Sequence, residues 1–246
     1  MTRHVLDEVD STNAVAMRMA PTLAGPAWIM ARTQTAGRGR RGRAWLMPQG
    51  NLAATFIFTP EAPADRVAQL SFVAAVALHD TLRQVVGPTQ RLAIKWPNDV
   101  LLNDRKVAGI LLESVGAGQR VRAVAIGVGV NLAAAPDPGL LQDATVPPGS
   151  VHAETGVVIT PDDCLDLLAQ GFDRWLAAWQ THGFTSVRAA WLARAARLGQ
   201  TITARCGPST HAGRFDDIDD TGALIMTTPA GRQVISAADV HFPQEA

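Results

Sequence analysis

An α+β fold, a mixed or antiparallel sheet packed with helices and followed by a small β-barrel, is predicted by three observations. Residues 64–86 place Val67, Leu70, Ala74, Leu78, Leu82 and Val85 at helical spacing, the mark of a long amphipathic helix. The segments Asp99–Leu102, Val107–Glu113 and Val121–Asn131 follow one another across short turns, the pattern of an antiparallel meander. Beyond Leu198-Gly199 the texture changes to short strand-like segments broken by Gly and Pro, which fits a barrel of about 45 residues.

The remaining elements follow from local signals. Asp10-Ser11-Thr12-Asn13 is a run of capping residues ahead of Ala14–Ala20, so a short helix is expected there. Ala27–Thr33 reads as a strand leading into a loop of glycines and arginines, and Leu52–Phe58 as the next strand. Arg91–Trp96 is a strand, and the meander after it is expected to turn at Asn103-Asp104 and at Gly116–Gly118. Ala133–Ser150, rich in Pro, Gly and Ala, reads as a surface loop. Thr160-Pro161-Asp162-Asp163 caps a helix carrying Leu165, Leu168, Phe172, Trp175, Leu176 and Trp179 on one side, and a second helix covers 185–197. The barrel strands are Thr201–Arg205, His211–Asp216, Ala223–Thr227 and Arg232–Ser236, which sets a domain boundary near 198.

Of 246 residues, 47% are hydrophobic and 18% charged, ample for a packed core and against disorder. The 22 Lys and Arg balance 22 Asp and Glu, so no overall basic field attracts nucleic acid. No apolar run approaches the roughly 18 residues of a membrane span. Met1–Glu8 lacks a charged-then-apolar signal segment. Cys164 and Cys206 are far apart and have no metal-ligand spacing. A soluble cytoplasmic protein is the expectation.

Against this neutral background, Gly37-Arg38-Gly39-Arg40-Arg41-Gly42-Arg43 concentrates positive charge, with Trp45 close behind. Guanidinium groups bind phosphate and carboxylate bidentately, and glycine lets backbone approach a ligand closely. The same residues match Gly-x-Gly-x-x-Gly, but a dinucleotide fingerprint must open a helix after a strand, and here a strand follows. A solvated loop or a nucleic-acid patch is the plainer alternative; an anion-binding loop is the sharper one.

Three further strings are modest singly. In Lys95-Trp96-Pro97-Asn98-Asp99 an ammonium ends an apolar strand, where it either meets an anion or snorkels to the surface. In Lys106–Glu113, Gly109 inside a strand marks a close backbone approach or a bulge. In Gly127-Val-Gly129-Val-Asn131, alternate glycines end a strand with an amide beyond them.

Together and in this order, with Ser11-Thr12-Asn13 and Gln34 ahead of the arginine loop, these strings resemble the biotin protein ligases, also called biotin–[acetyl-CoA-carboxylase] ligases. The resemblance covers the whole chain. It implies a catalytic domain over 1–197 and a C-terminal SH3-like β-barrel over 198–246. It implies the monofunctional type, because Ser11-Thr12-Asn13 stands too near the start for the regulatory members' winged helix-turn-helix, so no DNA binding is expected.

The implied reaction joins the biotin carboxylate to the α-phosphorus of ATP, giving biotinyl-5′-AMP, from which a lysine of a biotin carboxyl carrier protein takes the biotinyl group. Lys95, Arg38 and Arg40 are the implied catalytic cations. Ser11, Thr12, Asn13, Gln34, Gly37, Arg38, Lys95, Gly109 and Ile110 are the implied biotin contacts. Arg38, Gly39, Arg40, Arg43, Trp45, Lys95 and Asn131 are the implied ATP contacts. Mg²⁺ is expected to accompany ATP with no protein ligand named. A lipoate ligase or octanoyl transferase of the same fold, and a non-catalytic phosphate- or RNA-binding module, are the competing readings. The arginine loop and the Trp-Pro-Asn-Asp after Lys95 do not resemble the former; neutral charge counts against the latter.

Overall fold

The structure, a computed structural model, describes residues 1–117, 120–141 and 145–243. Its first sheet has seven strands, β1 (Thr2–Val9), β2 (Ala27–Gln34), β3 (Leu52–Phe58), β4 (Leu92–Lys95), β5 (Asp99–Leu102), β6 (Arg105–Ala117) and β7 (Arg120–Val130). Their spatial order is β1-β2-β3-β7-β6-β5-β4. β1 and β2 run parallel and every other pair is antiparallel, so the mixed sheet of an α+β fold is present. The β5–β6 turn uses Asn103 and Asp104, both at positive φ (51° and 64°), as expected. The other expected turn runs to Gly118, outside the described residues.

Period-two alternation divides the central strands between two faces. Trp28 and Met30 of β2, Phe56 of β3 and Val124, Ile126 and Val128 of β7 enter the larger core. Ala27, Ile29, Ile57, Ala123 and Ala125 enter a smaller one beneath α1 (Thr12–Met19), with Val15 and Ala16.

The 64–86 periodicity is realised as two helices, α2 (Ala64–Val67) and α3 (Leu70–Val86). Between them the Gln69 amide donates to Asp220 O at 2.9 Å and accepts from Trp179 Nε1 at 2.8 Å. The short α4 (Val151–Thr155) precedes α5 (Pro161–His182), whose Thr160 Oγ1 accepts from Asp163 N at 3.1 Å and whose first turn holds Pro161, as the sequence predicts. α3 and α5 pack on each other and on the sheet. Trp28, Phe56 and Phe172 stack there with ring centroids 4.9 to 5.8 Å apart, each burial contributing about 1.5–3 kcal/mol.

Helix α6 (Phe184–Leu192) stops before 197 because its continuation is used as sheet edge. Ile94 N donates to Arg194 O and Ala196 N donates to Ile94 O, both at 2.8 Å, so the connector covers the outer edge of β4.

The second sheet is antiparallel, ordered β11-β10-β9-β8-β12 from β8 (Thr201–Cys206), β9 (Ser209–Ile218), β10 (Leu224–Thr228), β11 (Gly231–Ile235) and β12 (Asp239–His241). This is the small SH3-like barrel, with a fifth strand too short to leave an alternation in the sequence. Its core is continuous with the first. Trp191 of α6 and Phe215 of β9 have centroids 6.3 Å apart, and Trp96 Nε1 donates to Gly222 O at 2.9 Å.

Candidate active site

Beyond α1 the smaller-core face of the sheet runs out of bulk. After Ala123 and Ala125, β7 continues on that face with Gly127 and Gly129, beside Leu111 and Gly109 of β6 and Thr55 and Ala53 of β3. A cavity of about 380 Å³ opens over this floor. A Cβ on Gly127 would lie 2.3 Å from Asn13 Oδ1, and one on Gly129 2.4 Å from the Trp45 indole. Glycine at these positions lets both side chains rest on the sheet.

One end of the cavity is the start of α1. Ser11 precedes the helix in extended conformation without capping it, and among the described residues its hydroxyl has no hydrogen-bond partner. The capping role expected of Ser11 is thus replaced by exposure to the cavity. Thr12 N and Oγ1 donate to Gln34 Oε1 at 2.8 and 3.1 Å, which fixes the Gln34 amide. Asn13 is fully engaged: Nδ2 donates to Glu113 Oε2 at 2.8 Å and Leu111 O at 3.2 Å, and Oδ1 accepts from Thr55 at 2.7 Å.

The arginine loop is a hairpin. Trp45 N donates to Gly37 O at 2.9 Å and Gly39 N to Arg43 O at 2.7 Å, around a tip where Arg41 and Gly42 have φ of 57° and 74°. Gly37 does not line the cavity; a Cβ there would strike Trp45 O at 2.4 Å, so its role is to close the hairpin. The guanidiniums point two ways. Arg38 reaches Glu113 Oε2 at 3.1 Å and Arg40 reaches Asn98 Oδ1 at 3.3 Å, while Arg41 and Arg43 both turn to Asp239 in the barrel at 2.7 Å.

Opposite stands a charge cluster. Lys106 Nζ lies 2.7 Å from Asp99 Oδ1 and 5.6 Å from the Trp45 ring centroid, and Lys95 Nζ lies 3.9 Å from Asp99 Oδ2. Lys95 is nearly fully buried, whereas the Lys106 side chain is 32% exposed. Burial lowers Lys95 to about 8, with Asp99 opposing. Burial alone would raise Asp99, but Lys106 and Lys95 hold its carboxyl below the usual range. Burial lowers Arg40 as well. Ile110 is locked by Asn98, whose carbonyl accepts from Ile110 N at 3.0 Å and whose amide donates back to Ile110 O. Asn131 Nδ2 donates to Gly149 O at 2.9 Å, which leaves Oδ1 a buried acceptor without partner.

Every residue implied as a catalytic, biotin or ATP contact except Gly37 lines this one cavity. Sequence reasoning passed over four polar residues that shape it. Lys106, Asp99 and Glu113 stood inside the quoted strings without being assigned a role; Asp239 had no local signal. Ala133–Ser150 was expected as surface loop, yet Pro136, Leu141, Val146 and Pro148 form a wall of the cavity. Among the described residues no group of three or more His, Cys, Asp or Glu side chains converges as a metal cage, and no helix is long and apolar enough to cross a membrane.

Residues 5–131 match the model of the biotin/lipoate A/B protein ligase family, and residues 198–242 that of the biotin protein ligase C-terminal domain. A biotin–[acetyl-CoA-carboxylase] ligase of Paracoccus denitrificans is 59% identical over 238 residues, covering 97% of this chain and 99% of that protein. The Aquifex aeolicus biotin protein ligase in complex with biotin and ATP superposes with a TM-score of 0.80 at 23% identity, covering 97% of each chain. A mutant of that enzyme in complex with biotin gives 0.83 at 22% identity over 98% of each. At such identity these two likenesses concern the fold.

Proposed function

This chain belongs to the biotin/lipoate A/B protein ligase family, and from that premise we propose how its cavity carries out biotin ligation. The enzyme is a biotin–[acetyl-CoA-carboxylase] ligase. A biotin carboxylate oxygen attacks the α-phosphorus of ATP, the bond to the β-phosphate breaks, and pyrophosphate leaves. A carrier lysine then attacks the acyl carbon of biotinyl-5′-AMP, and AMP leaves. The full-length identity to a biotin ligase carries this reading over lipoate chemistry. We take the acceptor to be a biotin carboxyl carrier protein. We propose a cytoplasmic location, a reading supported by the use of ATP and of a carboxylase partner.

Two anions must meet for the first step. Two unit charges 4 Å apart repel by about 4 kcal/mol at an effective dielectric near 20, so fixed cations are required. Lys106, Lys95, Arg40 and Arg38 surround the cavity and supply them. Lys106 is the more accessible ammonium and the better candidate for direct contact with carboxylate and α-phosphate; Lys95 lies behind it across Asp99. The free Ser11 hydroxyl and the fixed Gln34 amide suit polar contacts to biotin at the α1 end. Asn13 holds that end in shape through Glu113 and Thr55. Asn131 Oδ1, an unmet acceptor that costs about 1–3 kcal/mol when left so, suits an amino group of the nucleotide base. Trp45 on Gly129 gives the base an apolar surface.

Mg²⁺ would arrive with ATP, held by phosphates and water. The protein's donors do not fit a resident ion, since Asp99 is already shared by two ammonium groups. ATP-dependent incorporation of labelled biotin, against labelled lipoate, into a carboxylase carrier domain tests the reading. Incorporation of lipoate alone would overturn it.

A further inference from the structure

The four hairpin arginines have partners of two kinds. Arg38 and Arg40 reach Glu113 and Asn98 at the cavity, whereas Arg41 and Arg43 converge on Asp239, each 2.7 Å from a separate carboxylate oxygen. Asp239 opens β12 and pairs with Arg205 of β8, so a sheet and not a loop fixes this anion. Its side chain is 23% exposed against 39% and 34% for its two partners, the least solvated member of the trio. The hairpin tip is shaped for the contact. Left-handed backbone at Arg41 and Gly42 turns Arg41 toward the barrel while its neighbour Arg40 faces Asn98. Three residues after Asp239, the Phe242 ring centroid lies 5.8 Å from Lys95 Nζ. The short strand touches the hairpin, and the residue that follows it lies near Lys95.

We propose that Asp239 is a positioning residue for nucleotide binding, clipping the arginine hairpin to the barrel so that Arg38 and Arg40 are already presented to the substrate anions. The proposal rests on the ligase reading above. A carboxylate shared by two guanidiniums removes part of the like-charge repulsion within the hairpin. Without it the hairpin is ordered for only a fraction of the time, and apparent affinity falls by that fraction. Such a loss raises KM for ATP and leaves kcat nearly unchanged.

The test uses the full chain with Asp239→Ala and Asp239→Glu. Limited trypsin digestion reads cleavage at Arg40, Arg41 and Arg43, and biotin-dependent ATP–pyrophosphate exchange reads KM and kcat. Asp239→Ala should cleave at the hairpin about fivefold faster and raise KM for ATP about tenfold, with kcat changed less than about threefold. Asp239→Glu, which keeps the charge, should restore most of both. In a cycle with Arg41→Ala and Arg43→Ala, adding Asp239→Ala should cost little more, because the residues act as one unit. Wild-type digestion and KM in Asp239→Ala, or fully additive losses in the cycle, would overturn the clip. Absence of exchange in the wild-type protein would instead overturn the ligase reading, and the digestion would still decide on the clip.

Discussion

The Lys106 ammonium stands 2.7 Å from Asp99 Oδ1, and that same carboxylate faces Lys95 at 3.9 Å. Two cations of unequal exposure therefore share one anion, which leaves a net positive charge toward the cavity. Asp99 sets the spacing of the pair, and the exposed member is free to turn to a ligand.

Replacing either lysine should impair adenylate formation. Lys106→Ala and Lys95→Ala are each expected to lower pyrophosphate release with biotin and ATP by about a hundredfold or more. Lys106→Ala should lose some thermal stability, because it takes the nearer ammonium from Asp99, but it leaves no buried cavity since its side chain is a third exposed. Lys95→Ala should be less stable, because it leaves a buried cavity and strips Asp99 of one partner. Near-normal release by Lys106→Ala would show that the accessible ammonium does not meet the substrates.

The pH dependence follows from Lys95. Its folded value of about 8 lies below the ordinary 10.5, chiefly through burial. The unfolded chain thus binds this proton more tightly, so the site opposes folding at neutral pH and the opposition fades as pH rises through that window. Catalysis runs the other way, because the charge is what the anions need. kcat/KM for adenylate formation should fall on an alkaline limb with an apparent pKa near 8 in the free enzyme. A profile that stays flat across that limb would show the Lys95 charge to be dispensable.

Gly129 is a position where one methyl group should be felt. Its Cβ would lie 2.4 Å from the Trp45 ring, so Gly129→Ala must displace the indole from the sheet. KM for ATP should rise about tenfold or more, with a shift in tryptophan fluorescence and little change in biotin affinity. Unchanged ATP kinetics would remove Trp45 from the nucleotide site.

Removing the barrel should do more than slow transfer. Truncation after Arg197 would uncover Trp191 and Phe72 and take away the Gly222 carbonyl that Trp96 uses. Each large apolar side chain returned to water costs about 1.5–3 kcal/mol, a sizeable part of a typical net stability of about 5–15 kcal/mol. The truncated chain is expected to lose cooperative unfolding. A sharp thermal transition near that of the full chain would show the two sheets to be independent.

The long helices, the meander and the arginine loop were legible because each rests on contacts near in sequence. Period and capping residues announce α3 and α5. β1 left no such trace: it is an edge strand of half-buried and exposed residues, including Arg3, Asp7 and Glu8, whose parallel partner lies across α1. Of the site, sequence supplied Lys95, the arginines and the glycines, since motif spacing is local, but it gave Lys106 no role. The carboxylates that hold them were hidden. Glu113 meets Arg38 from 75 positions away and Asp239 meets Arg43 from 196 away, and no periodicity records such a contact. Trp45 explains Gly129 only once the indole is seen lying on it.

The sheet is thick-skinned on one side and bare on the other. Where the cavity lies, its bare face carries Gly109, Gly127, Gly129 and Ala53, with only Leu111 and Thr55 adding bulk toward α1. Glycine has nothing left to remove, so substitution there can make the chamber shallower and can hardly make it deeper. Any drift toward a longer or bulkier acyl group must come mainly from the hairpin or from the wall of Pro136, Leu141, Val146 and Pro148. The floor works as a fixed stop, and ligand range is adjustable only from the roof.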